Sequence, residues 1–151
     1  MRKDWDTYFM DIAFMARERS TCPRLHVGAV IVKNKQIKST GYNGSPKGLP
    51  HCDDDGCFMV DGHCRRTIHA EINAIINASP EEREEATLYV THQPCVECQK
   101  VIISSGITRV VFAKGYQPEW DWLKFADHIK TEHMKEYSRP SFLSAADKES
   151  E

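Results

Sequence analysis

The sequence predicts an α/β fold: a three-layer α/β/α sandwich with helices on both faces of one mixed central sheet. Three observations predict it. Apolar residues recur at helical spacing over 4–19, residues 26–41 read as a β-hairpin, and strand and helix alternate twice from residue 87 onward. A chain of 151 residues is expected to form a single domain over 1–151, burying roughly two-thirds of its unfolded surface.

Each element has a local cause. Trp5, Tyr8, Phe9, Ile12, Ala13 and Ala16 give the first helix an apolar stripe. Val27, Val30, Ile31 and Val32 make a β-branched run from His26 to Lys33, and the polar Lys33–Gln36 segment turns it into a second strand ending near Gly41. Residues 44–66 form a long Gly/Pro/Asp/Cys-rich loop, which requires an ordering element of its own. Ile68–Ala78 reads as a helix, followed by an acidic turn that Ser79 can cap ahead of Pro80. Thr87–His92 is a buried strand, Val96–Ser105 a helix closed by Gly106, and Thr108–Ala113 another strand. Trp120, Leu123, Ala126 and Ile129 predict a last helix over about 119–136, before a polar tail at 144–151.

The formal charge of -2, with no Lys/Arg run, argues against a large nucleic acid as partner. No stretch has the length of a membrane span, and Met1–Asp6 lacks the apolar core of a signal peptide. The expected location is cytoplasmic, where six cysteines read as metal ligands or catalytic groups rather than disulfides.

The densest chemistry lies in His69-Ala70-Glu71 and Pro94-Cys95-Val96-Glu97-Cys98. One imidazole and two thiolates suit Zn²⁺ with one coordination position left open, the pattern of catalytic zinc. Cys95 and Cys98 share a face at a helix start, whose positive end favours thiolates. His69 begins the other helix, so two helix N-termini could meet at one metal. A zinc ion there would acidify a bound water toward a pKa of roughly 7. Glu71 is too close to His69 in sequence to share its direction, yet can reach the open position and carry protons to a ring nitrogen and a leaving amine. The H-x-E…P-C-x-x-C spacing is the signature of zinc nucleobase deaminases.

With these motifs in place, the chain resembles deoxycytidylate (dCMP) deaminase, within the cytidine deaminase fold superfamily. The resemblance runs from about Cys22 to Tyr116. Beside the zinc motifs it rests on Val27-Gly28-Ala29-Val30-Ile31-Val32 and on Gly41-Tyr42-Asn43-Gly44-Ser45-Pro46. It implies hydrolytic deamination of dCMP to dUMP with release of ammonia, feeding dTMP synthesis. It also implies that Asn43 helps to bind the deoxynucleotide, with Ala70 beside the zinc histidine at the substrate. Gly41, Tyr42, Asn43 and Gly44 are placed near an allosteric nucleotide site, where dCTP with Mg²⁺ activates and dTTP inhibits. The assembly implied is a homo-hexamer. Read from the residues themselves, Gly41 and Gly44 allow the backbone to approach a ligand, and the Asn43 amide could bridge sugar and base. Tyr116 matches a tyrosine that the family uses near the phosphate. Arg24 is a phosphate candidate from its charge alone, in competition with His26.

Cys22, Cys52, Cys57 and Cys64 remain, with His51 and His63 beside them in the long loop. A closed structural zinc site would supply the ordering that its sparse apolar content lacks. Some relatives carry such a zinc, and Cys22 and Cys52 match two of its ligands. Cys57 and Cys64, or His51 or His63, would complete it; the alternative is four packed free thiols.

Two other functions compete. A tRNA adenosine deaminase would share the zinc motifs but calls for basic and aromatic surface for a folded RNA, against which the net charge counts. A zinc-stabilised binding module without catalysis would leave Glu71 without a role.

Overall fold

The computed structural model describes residues 1–115 and 120–143. Among them, five strands form one mixed sheet in the spatial order Gln36–Tyr42, Gly28–Lys33, Thr87–His92, Arg109–Lys114 and Lys130–His133. The first helix, α1 (Trp5–Ala16), starts where the Asp4 carboxylate accepts the Thr7 N–H at 2.8 Å, and it relaxes into a 3-10 turn at Arg17–Arg19. Its core face is Phe9, Met10, Ala13 and Phe14, whereas Trp5 and Tyr8 stand about half exposed at 50% and 46%. The stripe is therefore rotated from the one expected, because the Gly28 backbone sets how α1 lies on the sheet. A Cβ on Gly28 would meet the Ala13 carbonyl oxygen at 2.0 Å.

β1 (Gly28–Lys33) and β2 (Gln36–Tyr42) are joined by Asn34 and Lys35, both at positive φ (53° and 60°), the two-residue turn whose twist suits a hairpin. The long loop is not structureless. It contains α2 (Cys52–Asp55) and a small hairpin of β3 (Met59–Val60) and β4 (His63–Cys64), turning at Asp61 and Gly62. A bridge from Gly44 to Ile68 then leads into α3 (Ala70–Asn77). The short α4 (Pro80–Arg83) has the expected Ser79 cap, extended by Glu82 into a reciprocal capping box.

β5 (Thr87–His92), α5 (Val96–Ile103) and β6 (Arg109–Lys114) form a parallel crossover unit. Here the last helix expected over 119–136 gives way: the described part holds a 3-10 turn at Trp122–Phe125 and a parallel strand β7 (Lys130–His133) on β6. The reason is tertiary. Leu123 and Ile129 enter the core six positions apart, a spacing that no single helix face accommodates, while Trp120 and Phe125 stay in solvent. The open margin of β6 also gains main-chain partners, with the Lys130 and Met134 N–H groups donating to Thr108 and Phe112.

The layers follow from alternation along the strands. Val30, Val32, Tyr89 and Val111 face α1, whereas Ala29, Ile31, Leu88, Val90 and Val110 face α3 and α5. Arg109 joins the α1 layer to the sheet edge. Its guanidinium donates to both Asp6 oxygens at 3.0 and 2.8 Å and also pairs with Glu132, while the Tyr89 hydroxyl donates to Asp6 at 2.5 Å.

Candidate active site

Two helix N-termini converge beyond the carboxyl end of β5, and each starts on a residue that can offer a metal-ligand atom. His69 and Cys95 occupy the cap positions of α3 and α5 in extended conformation (ψ 152° and 170°), so their side chains project off the helix ends toward one another. His69 Nδ1 lies 3.4 Å from Cys95 Sγ and 3.2 Å from Cys98 Sγ. A tetrahedral ion with legs of about 2.0–2.3 Å separates its donors by roughly 3.6 Å, so the three atoms fit zinc with little adjustment. His69 is exposed, Cys95 half-buried and Cys98 buried, which leaves one side of the triad open.

The electrostatics suit thiolate ligation. Cys95 is brought down to about 3, first by the hydrogen bond from the Cys98 thiol and then, against burial, by the one from His69. Cys98 is pushed up as the donor of that pair. Hydrogen bonding to Cys95 raises His69. Glu71 is 4% exposed, and burial raises its carboxyl above the ordinary value, against the opposing pull of the His69 charge and of its own main-chain N–H. A buried carboxyl so raised beside the His–Cys–Cys cluster is suited to exchanging protons with a neighbouring group.

Side-chain to main-chain bonds fix the α3 turn against the β2 margin. Ser39 Oγ donates to the Ala74 carbonyl at 2.7 Å, and Asn73 Nδ2 donates to Tyr42 at 2.9 Å and to Ile68, the residue before His69, at 3.4 Å. A Cβ on Gly41 would meet the Ala70 carbonyl oxygen at 2.4 Å and the Ala74 nitrogen at 2.5 Å. Gly41 is thus required by the turn that bears His69 and Glu71, while a Cβ on Gly44 would meet only ordinary contacts beyond 3.5 Å.

The other expected site residues distribute unevenly. Asn43 is buried, its Oδ1 accepting from the Val27 N–H at 2.8 Å and its Nδ2 donating to the Leu25 carbonyl at 2.6 Å, so it braces the segment around His26. Ala70 is fully buried in the first turn of α3. Arg24 Nη2 donates to Gly62 in the β3–β4 hairpin at 3.5 Å. Tyr116 lies outside the described residues. Asn73 and Gln99 were not among the expected residues; each is a polar residue within an amphipathic helix, and that mismatch was the available signal.

The four loop cysteines do come together. Cys22, Cys52, Cys57 and Cys64 place their sulfurs within 4.8 Å of one another, with Cys22–Cys57 at 3.9 Å and Cys52–Cys64 at 3.6 Å. His51 turns instead to the Thr21 hydroxyl at 3.3 Å, and His63 is exposed outside the group. Sulfur legs of about 2.3 Å imply a tetrahedral S–S separation of roughly 3.8 Å, so this set fits a closed Cys₄ zinc site. Burial opposes ionisation here, but hydrogen bonds from the Arg66 main chain and from Cys52 hold Cys64 down to about 7.

Residues 3–114 match the family model of the cytidine and deoxycytidylate deaminase zinc-binding region. The chain belongs to this family. Its fold agrees with that assignment: a dCMP deaminase from cyanophage S-TIM5, solved in complex with dCMP and dUMP, superposes with a TM-score of 0.73 at 29% identity, over 89% of this chain and 99% of that one. ComE operon protein 2 of Bacillus subtilis is 50% identical over 77% of this chain, and the match spans 62% of its own length. A Mycobacterium phage deoxycytidylate deaminase is 42% identical over 75% of this chain and 97% of its own. The His69, Cys95 and Cys98 cluster lies within the residues that match this zinc-binding region. Among the described residues, no helix is long and apolar enough to cross a membrane.

Proposed function

We propose that this chain, as one domain over 1–151, catalyses the zinc-dependent hydrolytic deamination of dCMP to dUMP, releasing ammonia. The carrying observation is a Glu71 buried in the first turn of α3, two residues from His69, beside an open His–Cys–Cys triad. The names of the relatives at 38–42% identity support the substrate.

His69 Nδ1, Cys95 Sγ and Cys98 Sγ would hold the ion, which supplies Lewis acidity that lowers the pKa of a water toward roughly 7. Glu71 then acts on protons alone. Its carboxylate accepts one proton from the attacking water and delivers it to the pyrimidine N3; once the hydroxyl has added to C4, it takes the hydroxyl's remaining proton and passes it to the amino group, which leaves as ammonia while the C4=O bond forms. Burial of Glu71 favours its protonated form between these transfers. His69 at the exposed rim leaves the approach for the pyrimidine ring.

A second zinc at Cys22, Cys52, Cys57 and Cys64 belongs to the same reading. Four mutually close thiols in a segment poor in buried apolar groups support a closed structural site. Activation by dCTP with Mg²⁺, inhibition by dTTP and a hexameric assembly in the cytoplasm rest on the resemblance over Gly41–Gly44 and the zinc motifs. Arg24 and Tyr116 remain its phosphate candidates.

An absorbance assay compares dCMP, CMP, deoxycytidine and an adenosine-bearing RNA hairpin, with and without dCTP or dTTP. Turnover of dCMP above the others is expected. Deamination of the RNA alone would overturn the substrate.

A further inference from the structure

We infer that Gln99 is a positioning residue for the metal centre, tying the turn that carries Cys95 to the main chain at Trp122. The inference rests on the assignment of His69, Cys95 and Cys98 as zinc ligands.

Gln99 is 1% exposed, and a buried carboxamide requires partners for both of its ends. It has them. Nε2 donates to the Pro94 carbonyl at 3.1 Å, and Oε1 accepts the Trp122 N–H at 2.6 Å. The main-chain N–H of Gln99 also donates to the Cys95 carbonyl at 2.9 Å. One residue thus grips the ligand turn twice, by its side chain at Pro94 and by its backbone at Cys95. At its other end it satisfies an N–H in the first turn of the 3-10 segment, which has no acceptor within that turn. Leu123 anchors the segment in the core beneath α5. The 122–125 segment supplies no ligand, yet it is the far abutment that fixes where Cys95 Sγ points.

Groups that orient metal ligands govern how tightly the ion is held. Gln99→Leu would keep the bulk and lose both hydrogen bonds. Gln99→Glu would keep an acceptor for Trp122 but present a carboxylate to the Pro94 carbonyl. Ile102→Val, in the same helix and fully buried, serves as a packing control.

The test follows zinc transfer from the loaded protein to a chromogenic chelator, reading the phase that Cys98→Ala abolishes. Both Gln99 variants should release that zinc about 10- to 100-fold faster, and their Co²⁺-loaded forms should show shifted visible bands. Trp122 amide exchange should quicken in Gln99→Leu and stay near wild type in Gln99→Glu. Ile102→Val should release zinc as wild type does. Wild-type release from folded Gln99→Leu and Gln99→Glu would overturn the inference, as would equal acceleration by Ile102→Val. If Cys98→Ala abolished no phase, the ligand assignment itself would fail and this inference with it.

Discussion

Cys98 Sγ sits 3.2 Å from His69 Nδ1, although 29 residues separate them in the chain. The contact exists because β5 and its crossover bring the start of α5 beside the start of α3. Cys98→Ala should therefore remove the zinc of this site while leaving the fold, since the thiol lies at a helix start and its replacement keeps helix propensity. Metal analysis of the purified variant, paired with circular dichroism, checks both halves.

Glu71→Gln separates proton transfer from metal binding. The variant should stay folded and zinc-loaded, while turnover of dCMP falls by about 10²- to 10⁴-fold. Undiminished turnover would remove Glu71 from the chemistry.

Gly41→Val tests the seat of the His69 turn. A side chain there collides with the backbone of Ala70 and Ala74, so α3 must lift from the sheet. Thermal unfolding should show a loss of about 1–3 kcal/mol, as for other overpacked sites, together with weakened zinc retention.

Cys52→Ser should abolish the second metal and leave the first. The expected readout is a loss of zinc content that Cys98→Ala does not reproduce in the same pool, with faster proteolysis confined to 44–66. Unchanged zinc content would return the four cysteines to packed free thiols.

The Asp6–Arg109 pair predicts an acid-sensitive contribution to stability. The Arg109 hydrogen bonds hold the Asp6 carboxyl below its ordinary value, even against partial burial. A depressed folded-state pKa gives stability that is fully present above the unfolded value, about 3.9, and lost as pH falls through the lower folded value. The difference in melting temperature between wild type and Asp6→Asn should be full at neutral pH and shrink below about pH 4. A difference constant down to that range and beyond would assign it to packing instead.

The sequence was most legible where local rules and tertiary needs agreed. Val30–Val32, the Lys33–Gln36 turn and Ser79-Pro80 each produced the element their propensities favour. The meeting of His69 and Cys95 was legible because side chains at two helix starts need only the helices to be right. The described segment after β6 was not. Trp120, Leu123, Ala126 and Ile129 mimic a helical stripe, but the free margin of β6 and the pull of Leu123 and Ile129 into the core outweighed that period. Gln99 was missed, and the packing contacts of Gly41 and Asn43 were not foreseen, for a common reason. Their roles are set by main-chain groups of distant segments, which no local pattern records.

The outer margin of β2 has a consequence for how copies of this chain can meet. Its outward carbonyls at Thr40 and Tyr42 already accept from Asn77 and Asn73, and Gly44 is paired with Ile68. A foreign strand arriving there would find these acceptors taken and a lysine, Lys38, at the remaining stretch. Runaway edge-to-edge stacking into fibrils is discouraged at that border, so copies that meet on the β2 side have to do so through helices and loops rather than by lengthening the sheet.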